Sequence, residues 1–206
     1  MKTESNVKTT RLVQIALLVA IILILAFTPL GYIKTLGLEI TLIVIPVTIG
    51  AILLGPVGGA ILGGVFGITS FIQCFGMSAF GATLLSINPW ATLIGTIIPR
   101  ILMGWLTGLL FAGLRKTNMN KNVAIALANL GGPIFNTIFF MSGLVLFFYK
   151  TDYIQGFVDY LGTNSVLSFV IAFVGINGLV EAVACFIIGT AITKALDVYQ
   201  EKSKKI

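Results

Sequence analysis

Four polar side chains interrupt otherwise apolar runs: Arg100, Asn136, Asn177 and Glu181. The planar fork of an arginine matches a carboxylate with two parallel hydrogen bonds. Asparagine donates to, or accepts from, hydroxyls and amides. Asn177 and Glu181 are four positions apart and share one face of a helix. Charged groups at membrane depth are costly and face a partner or a cavity. Two arrangements meet that demand. In one, Arg100 and Glu181 are a structural ion pair whose spare hydrogen bonds the asparagines satisfy. In the other, the four groups line a pocket for a small polar ligand, with Glu181 steadying Arg100.

A second polar set consists of Lys34, Gln73, Ser78, Asn88 and Trp90. Trp90 at a helix start reads as an interfacial anchor, and Lys34 as a contact for headgroups or solvent. Read functionally, the set is the rim and lid of a site that opens outward.

Other chemistries are poorly represented. The chain has no histidine, and Cys74 and Cys185 lie far apart inside apolar runs, which suits neither a disulfide framework nor a zinc site. No G-x-x-x-x-G-K-[ST] phosphate loop occurs, so the chain is not expected to hydrolyse ATP by itself. Serine and threonine are plentiful, but no base is spaced to activate them. No metal site, cofactor or enzymatic activity is expected.

The elements that must position these groups follow from composition. Of 206 residues, 57% are hydrophobic and 10% charged, against about a quarter charged in soluble domains. Too little charge remains to cover a water-facing surface, and the chain reads as an integral membrane protein. Runs of about 20 apolar residues span a bilayer. Six are expected: 12–27, 38–54, 57–74, 89–114, 123–149 and 166–196. The fold class is all-α, one bundle of six transmembrane helices over residues 1–206, with short tails at 1–11 and 197–206. The first run lacks a small-residue cleavage site before the next span, so it reads as a span and not a cleaved signal peptide.

Ten of the thirteen Lys and Arg residues fall in three places: before the first run, between 115 and 121, and at or after 194. Basic residues mark cytoplasmic segments, so both termini are expected inside and the breaks 28–37, 75–88 and 150–165 outside. The net charge of +6 is then topology and lipid contact, with no nucleic-acid partner expected. At 1.5 Å per helical residue, Arg100 and Asn177 lie about 16 Å and Asn136 about 20 Å below the outer ends of their spans. The polar groups thus share one layer near mid-membrane. Gly59, Gly63 and Gly67 repeat at four-residue spacing, which lets helices approach closely. The charge-free stretch 75–88 is too apolar for a plain exterior loop and is expected either to fold back as a lid or to lie at the membrane interface. Ala16 and Ala20 leave one face of the first span small, open either to internal packing or to a partner helix.

Six spans, a basic N-terminus, Ala16-x-x-x-Ala20, PVTIGAILLGPVGGAILGGVFGITSF at 46–71 and INPWATLIGTIIPRILMGWLTGLLF at 87–111 together resemble the S-components of energy-coupling factor transporters. Within that family the segments look most like the pantothenate-specific subunit. The resemblance implies a protein that binds a vitamin from outside and docks, by Ala16 and Ala20, on a membrane coupling subunit. Two ATP-binding cassette ATPases would power that subunit, and exterior loops would cover the pocket. Pantothenate carries a carboxylate for Arg100 and hydroxyls and an amide for the asparagines. Biotin or folate would satisfy Arg100 equally, while riboflavin would call for more aromatic lining. Pyridoxine or hydroxymethylpyrimidine as ligand, a scaffold that binds no metabolite, and a self-contained secondary transporter are the rival readings.

Overall fold

Where water is absent, the backbone must satisfy its own polar groups, and a helix does so within one segment. The computed structural model of the chain, which describes residues 4–29, 31–34 and 39–205, is accordingly built almost wholly of helices. In order they are α1 (Glu4–Ala26), α2 (Val44–Gln73), α3 (Ala79–Ile87), α4 (Pro89–Lys116), α5 (Lys121–Phe148), α6 (Asp152–Tyr160), α7 (Val166–Ala184) and α8 (Thr190–Lys205). A five-residue π-helical turn, Cys185–Gly189, joins α7 to α8. Among the described residues, five helical segments are long and apolar enough to cross a membrane: Thr9–Ala26, Val44–Gln73, Pro89–Lys116, Lys121–Phe148 and Asn177–Tyr199.

The expected spans map onto these helices unevenly. The run expected to begin at Leu38, a residue outside the described set, holds a strand before its helix. Antiparallel strands β1 (Tyr32–Lys34) and β2 (Glu39–Thr41) pair Tyr32 with Thr41 and Lys34 with Glu39. The helical part starts only at Val44 and continues into the third expected span. Gly55 divides it, with φ 81° and ψ −177°, a conformation open to glycine alone. Chain reversal there is visible in packing. A Cβ on Gly50 would strike the Leu62 side chain, and one on Gly59 would meet Ala51. In a straight helix residues 50 and 62 would be about 18 Å apart. α2 is therefore a hairpin of two arms, 44–54 and 56–73. Arg11 on α1 closes its turn, donating from its guanidinium to the Leu54 carbonyl at 2.7 Å.

The last expected span is divided by the π turn, and α8 runs on into the region read as a tail. α1 likewise begins at Glu4, inside the other expected tail; residues 1–3 and 206 lie outside the described set. Two of the three expected outer breaks contain a helix. In 75–88 it is α3, and in 150–165 it is α6, whose Ile154 and Val158 are buried. Phe80 of α3, Tyr153 and Phe157 of α6 and Phe173 of α7 stack edge to face or tilted, with centroids 5.2–6.2 Å apart, and pin α3 and α6 to the bundle.

The glycine stripe performs the packing its spacing suggests. Gly59, Gly63 and Gly67 lie against the backbone of Gly104, Arg100 and Ile97, so any Cβ there would overlap α4. Small residues are what allow such contact between membrane helices, where lipid offers no hydrophobic drive to associate. This seam fixes the height of Arg100 against α2.

Candidate functional site

A cavity of about 120 Å³ opens between the β1–β2 hairpin and helices α2, α3, α4, α5 and α7. Its wall includes six of the polar residues singled out by sequence: Arg100, Asn136, Asn177, Glu181, Gln73 and Ser78. Three helices thus deliver the mid-membrane layer to one place.

Arg100 is positioned by an irregularity of its own helix. Pro99 has no N–H, so the carbonyl four residues earlier, on Gly95, lacks its usual helical donor. The Arg100 guanidinium supplies one instead, donating from Nη1 to Gly95 O at 2.9 Å. The group lies 4.7 Å from the centroid of Phe140 and 5.5 Å from that of Phe66. Such cation–π contacts are worth about 0.5–2 kcal/mol each. Its Nε is buried and meets no partner among the described residues.

Glu181 does not pair with it. The ion pair among the described residues is Lys121–Asp197 at 2.5 Å, at the opposite end of the bundle. The Glu181 carboxylate accepts instead from the backbone N–H of Thr41 on β2, at 2.6 Å, with the Asn136 amide alongside. Of the two arrangements weighed for this layer, the direct Arg100–Glu181 ion pair is not formed: a closer donor on the hairpin takes the carboxylate, and the two charges attract only at longer range. Asn136 is 7% exposed and its Oδ1 has no hydrogen-bond partner among the described residues.

Gln73 and Ser78 line the cavity while serving the scaffold. Gln73 Nε2 donates to the Ala26 carbonyl at the end of α1, at 2.5 Å. Ser78 caps α3 by accepting from Gly81 N. Asn88 and Trp90 do not line the cavity. Asn88 is committed to capping α4, accepting from Ala91 N at 3.0 Å, and Trp90, 75% exposed, faces outward as an interfacial anchor does. The backbone of Lys34 lies in β1, and its side chain falls outside the described residues.

Sequence reasoning missed several wall residues. Thr92 and Thr96 point inward from α4 and bond carbonyls of their own helix, a common habit that hides such residues in sequence. Tyr32 and Ser70 share a hydrogen bond at 3.3 Å across the hairpin side, and Thr41 sits opposite Tyr32. Phe80 and Leu84 of α3 also face the cavity, so the charge-free stretch does fold back over it. On α1, Leu18, Ile22 and Ala26 are buried against α2, whereas Ala16 and Ala20 are exposed together with Leu12, Leu17 and Ile24. The alanine face is thus not spent on internal packing.

Comparison with known proteins agrees with this architecture. Residues 10–193 match the family model described as the ECF transporter, substrate-specific component. The chain is 31% identical over 202 residues to the pantothenate transporter PanT of Leuconostoc mesenteroides subsp. mesenteroides, covering 95% of this chain and 93% of that one. It is 32% identical over 167 residues to the pantothenic acid transporter PanT of Lactococcus lactis subsp. cremoris, covering 76% of each. The seam-packed helices, the walled polar cavity and a match over most of the chain identify a multi-pass plasma-membrane protein that belongs to the substrate-specific components of ECF transporters.

Proposed function

We propose that the cavity binds pantothenate and that the chain delivers it to a membrane coupling subunit driven by two ATPases. In this reading the chain crosses the membrane six times, the two arms of α2 counting separately, with both termini in the cytoplasm. Arg100 takes the carboxylate of the vitamin, and the Asn136 carbonyl accepts from a hydroxyl or the amide N–H. The observation that carries the reading is the state of Arg100: an arginine lying against two phenyl rings, with no direct salt bridge to a carboxylate among the described residues, on the wall of a cavity. A buried cation in that state is suited to an anionic ligand. The two similar proteins named as pantothenate transporters support the choice of anion.

Calorimetric titration of pantothenate and its alcohol analogue, against wild type and Arg100→Ala, tests this. Wild type should bind the acid much more tightly than the alcohol, and Arg100→Ala should erase most of that preference. Equal wild-type affinity for the two would end the carboxylate assignment. Mass spectrometry of small molecules that co-purify from rich medium distinguishes pantothenate from other vitamins.

The docking part rests on the exposed alanine face of α1. Ala16→Trp or Ala20→Trp should leave pantothenate binding by the isolated protein intact but abolish transport and assembly. Recovery of either variant in complex with the coupling subunit at wild-type yield would count against that surface.

A further inference from the structure

We infer that Glu181 is a positioning residue: through the Thr41 backbone it seats the β1–β2 hairpin as one wall of the cavity and so retains whatever the cavity holds. The inference departs from a reading of Glu181 as a ligand contact. It deepens the pantothenate proposal only in its kinetic arm; the structural arm stands without any ligand.

The argument begins with the weakness of the hairpin. Each strand has three residues, and an isolated two-stranded ribbon is marginal at best. Something outside must hold it. Its base is closed by Leu42 N donating to Gly31 O at 3.0 Å, and the chain leading into it is held where Gln73 bonds Ala26 O at the end of α1. On β1, the Tyr32 hydroxyl meets Ser70 Oγ at a long 3.3 Å. On β2, the Thr41 N–H points away from β1 and would be an unpaired edge donor, but the Glu181 carboxylate accepts it at 2.6 Å. Of the ties on the two strands, this one is much the shorter, and it joins segments 140 residues apart.

Every member of the two strand ties faces the cavity: Tyr32, Ser70, Thr41 and Glu181. Releasing β2 from α7 therefore removes a wall. Glu181 is 6% exposed and forms no ion pair with Arg100, so its carboxylate is committed to the hairpin. The arrangement leaves Arg100 to the ligand.

Cys74 supplies a reporter. It lines the same cavity, is 4% exposed, and is one of only two cysteines in the chain. In a Cys185→Ala background reconstituted in liposomes, the rate at which a water-soluble methanethiosulfonate labels Cys74, without pantothenate, reads how open the wall is. Glu181→Ala removes the acceptor. Thr41→Pro removes the donor from the other side, since proline has no N–H. Each should speed labelling by about 10- to 100-fold, the cost of leaving one buried partner of a hydrogen bond unpaired. Glu181→Gln keeps an acceptor oxygen and should stay near the parent rate. In the kinetic arm, Glu181→Ala should raise the pantothenate dissociation rate by a similar factor and change the association rate little.

Unchanged labelling in both Glu181→Ala and Thr41→Pro would overturn the inference. So would labelling in Glu181→Gln as fast as in Glu181→Ala, because charge and not the seat would then matter. If Glu181→Ala fails a thermal-melt control, Thr41→Pro and Glu181→Gln decide. Fast labelling of the variants in a protein that binds no pantothenate would leave the positioning role standing and sink the ligand assignment alone.

Discussion

Two asparagines on α5, Asn129 and Asn136, stand seven positions and about 10 Å apart on one helix, and their surroundings differ. Asn129 is fully buried and fully used. Its Oδ1 accepts from Thr48 at 2.8 Å, and its Nδ2 donates to Ile125 O at 3.0 Å and to Thr193 Oγ1 at 3.3 Å. Thr193 in turn donates to Gly189 O at 2.6 Å, in the π turn. Gly189 has no side chain where one would collide with Asn129. This knot joins α2, α5 and α8, and none of its three side chains lines the cavity described above. Asn136 is nearly as buried, yet its Oδ1 has no hydrogen-bond partner among the described residues, and neither does Arg100 Nε across the cavity. Buried polar groups are normally satisfied, and each exception calls for an explanation. A closed network binds helices together. An open one, beside a cavity, is matched to something that enters it.

The sharpest way to break this contrast is at Arg100. Arg100→Ala should cost about 2–5 kcal/mol in pantothenate binding, roughly 30-fold to several thousand-fold in Kd, with Arg100→Lys recovering only part. Because Arg100 also satisfies the Gly95 carbonyl and lies against two rings, the melting temperature of the ligand-free protein should fall modestly, by those contacts alone. A large loss of thermal stability would make Arg100 structural after all.

Asn136→Ala should come next, weakening binding by about 1–3 kcal/mol, the cost of leaving a buried ligand donor unpaired. Its melting temperature should barely move. Calorimetry and thermal scanning on the same preparation separate the two effects. Asn129→Leu should show the opposite pattern: unchanged binding, and stability reduced by about 1–2 kcal/mol, given interhelical hydrogen bonds of about 0.6 and at most about 1.7 kcal/mol each in membrane bundles. Thr193→Val, which removes one arm of the knot, should cost least, about 0.6 kcal/mol, and leave pantothenate affinity alone. If Asn129→Leu weakened binding as much as Asn136→Ala, the two layers would not be separate.

The polar layer was legible in sequence because a charge or an amide inside a long apolar run is rare, and the helical rise converts residue number into depth. Asn129 has the same signature, and spacing alone cannot tell a residue that meets three partners from one whose oxygen meets none among the described residues. The glycine stripe was readable because close approach has few chemical solutions. The hairpin was not. Glu39–Thr41 continues smoothly into the apolar run after it, and the contact that seats it depends on a backbone N–H, which carries no residue-type signal. α6 was hidden for a related reason. Nine residues with one buried stripe look like a loop until Phe80 and Phe173 supply a surface to pack on. The direct ion pair weighed as one arrangement for Arg100 and Glu181 does not form, because opposite charge predicts attraction, whereas geometry decides which donor is nearer.

The reversal at Gly55 also bears on how far a solute has to travel. The first arm of α2 is a helix over residues 44–54, about 16 Å long at 1.5 Å per residue, roughly half of a 30 Å hydrocarbon core. Above that arm the chain is not lipid-facing helix but the β1–β2 hairpin bordering the cavity. On this side of the bundle one continuous helix therefore accounts for only about half of the hydrocarbon thickness. Under the proposed function and orientation, a solute at Arg100 would have only that half left to cross.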